Sequence, residues 1–168
     1  MPDKGEEMNV MPSVIRIALL GLFIDEDAYA GSDQDLINFQ ISQVTYFRLS
    51  EEIGNFKLTF IYTYQATGVK IIEATVLTSL KINGFLKFVK WFEEKNDVKN
   101  EEIPSSILIT CLSVAISNTR TILFQQLATT IFHNKIAWPI LNSVEIFNVL
   151  YPEGIKLLKE IKEPDINV

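Results

Sequence analysis

The chain has one cysteine, one histidine and few basic residues. A single thiol excludes an internal disulfide and any thiolate metal cage. That thiol, Cys111, lies in the run ILITCLSV and reads as an inert core group. The lone imidazole, His133, falls at the polar end of a helical stretch, where it suits the helix dipole better than the role of a base. Fifteen Lys and Arg stand against 21 Asp and Glu, for a net charge of −6. That balance argues against nucleic acid as a partner, which needs a concentrated basic face. No apolar run reaches the roughly 18 residues of a spanning helix. The longest, Ile15 to Ile24, is broken by Arg16 and Gly21. The flank MPDKGEEMNVMP is acidic where a signal peptide would be basic. A soluble, cytoplasmic protein without membrane insertion is expected.

Catalytic signatures are missing too. There is no glycine-rich phosphate loop, no HExxH, no CxxC, no nucleophile elbow and no calcium-loop spacing. Asp25, Glu26 and Asp27 are adjacent, as in a solvated loop. Lys87 and Lys90 beside Trp91 read as the wet side of an amphipathic segment. No catalytic residue, metal or cofactor is expected.

What the chain does have is apolar surface. Hydrophobic residues make up 48% of its 168 positions, and mean hydropathy is +0.18. The length suits one domain with a real core. We place it at 13–163, between a polar tail at 1–12 and a loose tail at 164–168. Hydropathy this high suggests an oligomer or an exposed apolar patch.

The clearest element is Phe56–Gln65, FKLTFIYTYQ. Phe56, Leu58, Phe60, Tyr62 and Tyr64 fall on one face, and Lys57, Thr59, Thr63 and Gln65 on the other. Period two marks a strand with one buried face. Ser13–Ile24 reads as an earlier strand, with Ile15, Ile17, Leu19 and Phe23 sharing a face. Asp25–Asp35 is an acidic loop. Leu36–Leu49 alternates, with Ile37, Phe39, Ile41, Phe47 and Leu49 to one side. Ser50–Asn55 is a turn containing Gly54, and Ala66–Lys70 a hairpin connection centred on Gly68. The fourth strand starts at Ile71, with Ile72, Ala74, Val76, Leu80 and Ile82 inward, and Asn83-Gly84 ends or bends it. Phe85–Glu93 fits a helix face or a continued strand equally. Glu94–Glu102 is a charged loop.

Pro104 suits the first position of a helix. Ile107, Leu108, Cys111, Leu112 and Ala115 form its stripe through Ser117. Asn118 and Thr119 are cap-type residues, so a kink or restart is expected there. Leu123, Phe124, Leu127, Ala128 and Ile131 form the next stripe, ending near His133. Trp138-Pro139 is extended. Asn142 or Ser143 caps a short helix through Tyr151, Pro152 stops it, and Gly154–Lys162 suits a final amphipathic turn or two. The layout predicts an α+β fold. A four-stranded antiparallel sheet carries a long broken helix and short C-terminal helices on one face.

The aromatics Tyr62, Tyr64, Phe85, Phe88, Trp91, Phe92 and Trp138 exceed what one such sheet and helix obviously hide. An oligomer interface accounts for them, and so does a groove for unfolded chains, which grips by burial without demanding a sequence. Net acidity would favour basic client segments.

The order of segments resembles the bacterial export chaperone SecB. The resemblance runs over about 13–151. It rests on the four strands, the last-strand stretch VLTSLKINGFLKF with Gly84, a long helix with Arg120, and the post-helix Trp138-Pro139-Ile140-Leu141-Asn142 leading to a short helix. It implies the SecB α+β sandwich, assembled as a dimer of dimers. It also implies ATP-independent holding of unfolded or precursor proteins for export, and transfer to the SecA motor. Carried over by position, the groove would include Phe39, Ile41, Val76, Phe85 and Phe124; Tyr62, Tyr64 and Trp138 join them as client-binding candidates from the aromatic surplus. The chain departs from the family where an acidic SecA-docking residue would stand: Ser79 occupies that place. An Arg-Gly after the helix is replaced by IFHNK, and KWFEEKNDVKNEE is an unusual insertion. SecA docking is in doubt on those grounds, and service to one dedicated partner, such as an antitoxin, is a further expectation. Two alternatives remain: a small apolar-ligand or lipid carrier closed by the helix, and an enzyme built on His133.

Overall fold

The computed structural model describes residues 12–29, 37–48, 53–84, 105–133, 135–136 and 141–150. Four strands, β1 (Pro12–Ile24), β2 (Ile37–Arg48), β3 (Ile53–Tyr64) and β4 (Val69–Ile82), make one antiparallel sheet in the order β1-β4-β3-β2. β2, β3 and β4 follow one another as neighbours, and β1 lies beside β4. This is the Greek-key relation, with its long connection after the first strand. Among the described residues β1 and β2 are therefore the two borders of the sheet.

The alternation in β3 places its side chains as expected. Phe56, Leu58, Phe60 and Tyr62 are fully buried, and Lys57 is exposed. β4 matches it: Ile72, Ala74, Val76, Leu80 and Ile82 are sealed inward. Register ties the two faces together, with Leu58 opposite Val76 and Phe60 opposite Ala74. On the outer face Thr59 and Thr75 share a 2.9 Å hydrogen bond across the strands, and the Ser79 hydroxyl donates to Asn55 Oδ1 at 2.7 Å. Ile37, Phe39 and Ile41 of β2 join the core at half burial.

The helix α1 (Ser105–Leu127) covers the inner face, chiefly over β4 and β3. Ile107, Leu108, Cys111, Leu112 and Ala115 are buried as their spacing predicts. The expected break at Asn118–Thr119 does not occur. Thr119 is buried, and its hydroxyl donates to the Ala115 carbonyl at 2.8 Å, so its polar group is satisfied inside the helix instead of capping a new one. The second stripe is narrower than expected. Leu123 and Leu127 are buried, but Phe124 lies on the open face of the helix with Ser117 and Thr121, and Ala128 and Ile131 face water because the helix ends at Leu127 and turns follow. By length and composition 107–127 is long and apolar enough to cross a membrane, although its buried stripe packs on the sheet.

A second helix, α2 (Ser143–Leu150), packs on α1 through the buried Phe147. Asn142 is its cap: its Oδ1 accepts from the Val144 amide at 3.0 Å and the Glu145 amide at 3.4 Å. Gly68 sits in the expected hairpin connection and Gly84 just past the end of β4, both at positive φ (69° and 74°). Gly54 differs. It lies within β3, paired with Phe47 and Leu80, and not in the preceding turn. The tails 1–11 and 164–168, the segments Phe85–Glu93 and Glu94–Glu102, Trp138-Pro139 and Gly154–Lys162 lie outside the described residues.

Candidate functional site

Among the described residues β1 is bonded to β4 along one side only, so its other backbone edge borders the described sheet. Seven of its large apolar side chains, Val14, Ile15, Ile17, Leu19, Leu20, Leu22 and Phe23, are between 37% and 54% exposed. The register along β4 shifts between Val14 and Arg16 and again between Leu19 and Gly21, which makes Ile15 and Leu20 the extra residues of two bulges. The face on which each side chain lies follows from its partner. Val14 is opposite Leu80, Ile17 opposite Thr78, Leu19 opposite Val76 and Leu22 opposite Ala74. These four continue the buried inner face of the sheet out past the cover of α1. Phe23 is opposite Glu73 and so lies on the outer face, where the Lys70 ammonium sits 4.9 Å above its ring. The expected shared face of Ile15, Ile17, Leu19 and Phe23 is thus split, because two bulges interrupt the period of two.

A second apolar feature lies on α1. Ser117, Arg120, Thr121 and Phe124 line an open pocket of about 430 Å³. Their spacing puts them on one helix face. Phe124 is 47% exposed, and its ring centroid is 6.0 Å from that of His133. The positive charge of Arg120 also reaches inward to Tyr62. Burial pushes the Tyr62 phenol well above its ordinary range, and Arg120 opposes that rise only in part. Tyr62 Oη is buried without a hydrogen-bond partner among the described residues, as is Thr78 Oγ1.

The predicted client-binding residues separate into three groups. Phe124 is open to water. Phe39, Ile41 and Tyr64 are half-buried and already engaged: the Phe39 ring packs 5.1 Å from Phe60 and 5.0 Å from Tyr62, and Tyr64 meets Tyr29 edge-on at 5.5 Å. Tyr62 and Val76 are sealed in the core beneath α1, so neither lines an open groove. Phe85 and Trp138 lie outside the described residues. Among the described residues no group of three His, Cys, Asp or Glu is placed to hold a metal ion.

Two features escaped the sequence reading. Tyr29, assigned to a loop, is 6% exposed and packs on Tyr64 and Phe132. β1 was read as a strand, but its exposure was not foreseen. The usable signal was that SVIRIALLGLFI is apolar at both parities, which fits a strand needing cover on two faces. No protein-family model matches the chain, and a search of curated proteins finds no match.

Proposed function

We propose that this protein is an ATP-independent holding chaperone, which binds apolar stretches of unfolded or precursor polypeptides and works as a homo-oligomer. One observation carries the reading: the inner face of the sheet runs past its helix onto β1, leaving Val14, Ile17, Leu19 and Leu22 exposed in a row. An apolar strip of this kind grips by area, at roughly 25 cal/mol per Å² removed from water, and is indifferent to sequence. The open Phe124 adds an aromatic anchor on the neighbouring helix. Net acidity favours clients with basic flanks. The SecB-like order of segments supports the same reading and suggests export as the setting. SecA stays an open partner, since Ser79 replaces the acidic docking residue and is itself buried.

A sealed-pocket carrier is supported less well. The described side chains between α1 and the sheet, including Phe56, Leu58, Leu108 and Leu112, fill that layer at full burial. An enzyme centred on His133 has, among the described residues, an exposed imidazole beside a phenylalanine to work with.

The test is light scattering from a chemically unfolded protein diluted into buffer. A stoichiometric excess of this chain is expected to suppress aggregation. The paired change Ile17→Ser and Leu22→Ser is expected to weaken that suppression several-fold while far-UV circular dichroism stays unchanged. Undiminished aggregation with the wild-type chain present sinks the proposal.

A further inference from the structure

Charge is unevenly shared between the sheet and the rest of the chain. The four strands hold five of the 15 Lys and Arg but one of the 21 Asp and Glu, Glu73. The sheet is therefore positive within a chain whose net charge is −6. Register decides where those charges lie. Leu80 and Ile82 are sealed inward, so their neighbours Ser79 and Lys81 belong to the outer face. Residues opposite each other in an antiparallel pair point to the same face.

Three rows of the outer face follow, read across β1, β4 and β3. Lys81 is the centre of the first. Arg16 lies beside Ser79 and Asn55 in the second, and Lys57 lies beside Leu77 in the third. Arg16, Lys57 and Lys81 are exposed, while Asn55 and Leu77 are half-buried. Rows are about 6.8 Å apart and strands about 4.8 Å apart, so the three cations stand within roughly 15 Å of one another at the backbone. Glu73 is two rows beyond Leu77, where it is bonded to Lys70 at 2.8 Å. Among the described residues of the sheet no carboxylate shares the end of the face that holds the three cations. Both described helices lie on the other side. The floor between the cations suits a carboxylate as well. Ser79 donates to Asn55 Oδ1 at 2.7 Å, which leaves the Asn55 amide nitrogen with protons to give.

We propose that this end of the outer face binds an acidic segment of another polypeptide, laid across β1, β4 and β3 with its carboxylates on Arg16, Lys57 and Lys81. Carboxylates at alternate positions of an extended chain repeat about every 6.8 Å, a spacing that long Lys and Arg arms follow. The Arg16 guanidinium takes a carboxylate through two parallel hydrogen bonds, and Leu77 offers an apolar step between the charges. A short segment ends within the patch. Nucleic acid or an anionic membrane extends beyond three cations and meets the repulsion of a chain with 20 acids outside its strands. An acidic residue in the place of Ser79, as the family resemblance implies, would call for a basic partner; this face calls for the opposite sign. The site lies across the sheet from Val14, Ile17, Leu19 and Leu22, so it does not rest on client holding, and its test involves no client.

The probe is a fluorescein-labelled peptide of about twelve residues, Glu alternating with Ser, followed by anisotropy as the full chain is added at low salt. Saturable binding is expected, and it should weaken several-fold when ionic strength rises to about 0.2 M. Lys57→Gln with Lys81→Gln is expected to weaken it about tenfold with far-UV circular dichroism unchanged. Lys70→Gln with Lys135→Gln removes the same charge from exposed positions elsewhere and is expected to leave binding within about twofold. Absence of binding overturns the proposal, and so does a control pair that weakens binding as much as the Lys57 and Lys81 pair. A Lys-Ser peptide bound as tightly also overturns it. An oligothymidylate of equal charge or phosphatidylserine vesicles bound more tightly than the acidic peptide give the face to another class of partner, and overturn it too.

Discussion

Tyr62 shows how much a single buried atom can matter. Its ring is well packed, but its hydroxyl is buried with no partner among the described residues. An unpaired buried hydroxyl costs about 1–3 kcal/mol, so removing it is favourable. Tyr62→Phe is expected to raise the urea midpoint, by the equivalent of about 1 kcal/mol. Cys111 makes a different prediction. Burial pushes its thiol up to about 12, from an ordinary 9.0. The unfolded chain therefore gives up this proton first. Stability is complete below pH 9 and falls as pH climbs from there toward 12. Urea unfolding at pH 8 and pH 10.5 is expected to show the loss, and Cys111→Ala to flatten it. At neutral pH the native thiol is expected to resist alkylation until denaturant is added.

Among the elements, strands β3 and β4 were the most legible. Each has one polar face and one apolar face, so local sequence determines which side chains are buried. Phe60 and Val76 needed no knowledge of the fold to be assigned inward, although Val76 was then misread as available to a client. β1 was legible as a strand and illegible as a surface. Its two bulges are set by partners on β4 nearly sixty residues away, and no local pattern announces them. The helix break at Asn118–Thr119 was overcalled for a related reason. Capping residues signal an end only when their polar groups lack a partner, and Thr119 finds one a turn earlier in its own helix. Energies should follow the same division. Leu58→Ala, in the sealed face of β3, is expected to cost about 2–5 kcal/mol in urea unfolding. Gly68→Ala, at a positive φ in the β3–β4 turn, is expected to cost on the order of 1 kcal/mol.

For the whole molecule, the rings expected to be in surplus divide: Tyr62 is sealed and Tyr64 half-buried, while Phe85, Phe88, Trp91, Phe92 and Trp138 lie outside the described residues. The rings of β3 were the obvious candidates for an open groove, and α1 covers them. Among the described residues, most of the apolar area left in water lies on a largely aliphatic border strand whose partner in the sequence is distant. Pro12 pairs with Ile82 and Ile24 with Ile72, so among the described residues the strand partner of β1 lies more than forty residues further along the chain. During synthesis this apolar segment leaves the ribosome before its partner and waits for β4 to follow. Until then its side chains are open to wrong contacts, so the yield of folded chain depends on how fast β4 follows.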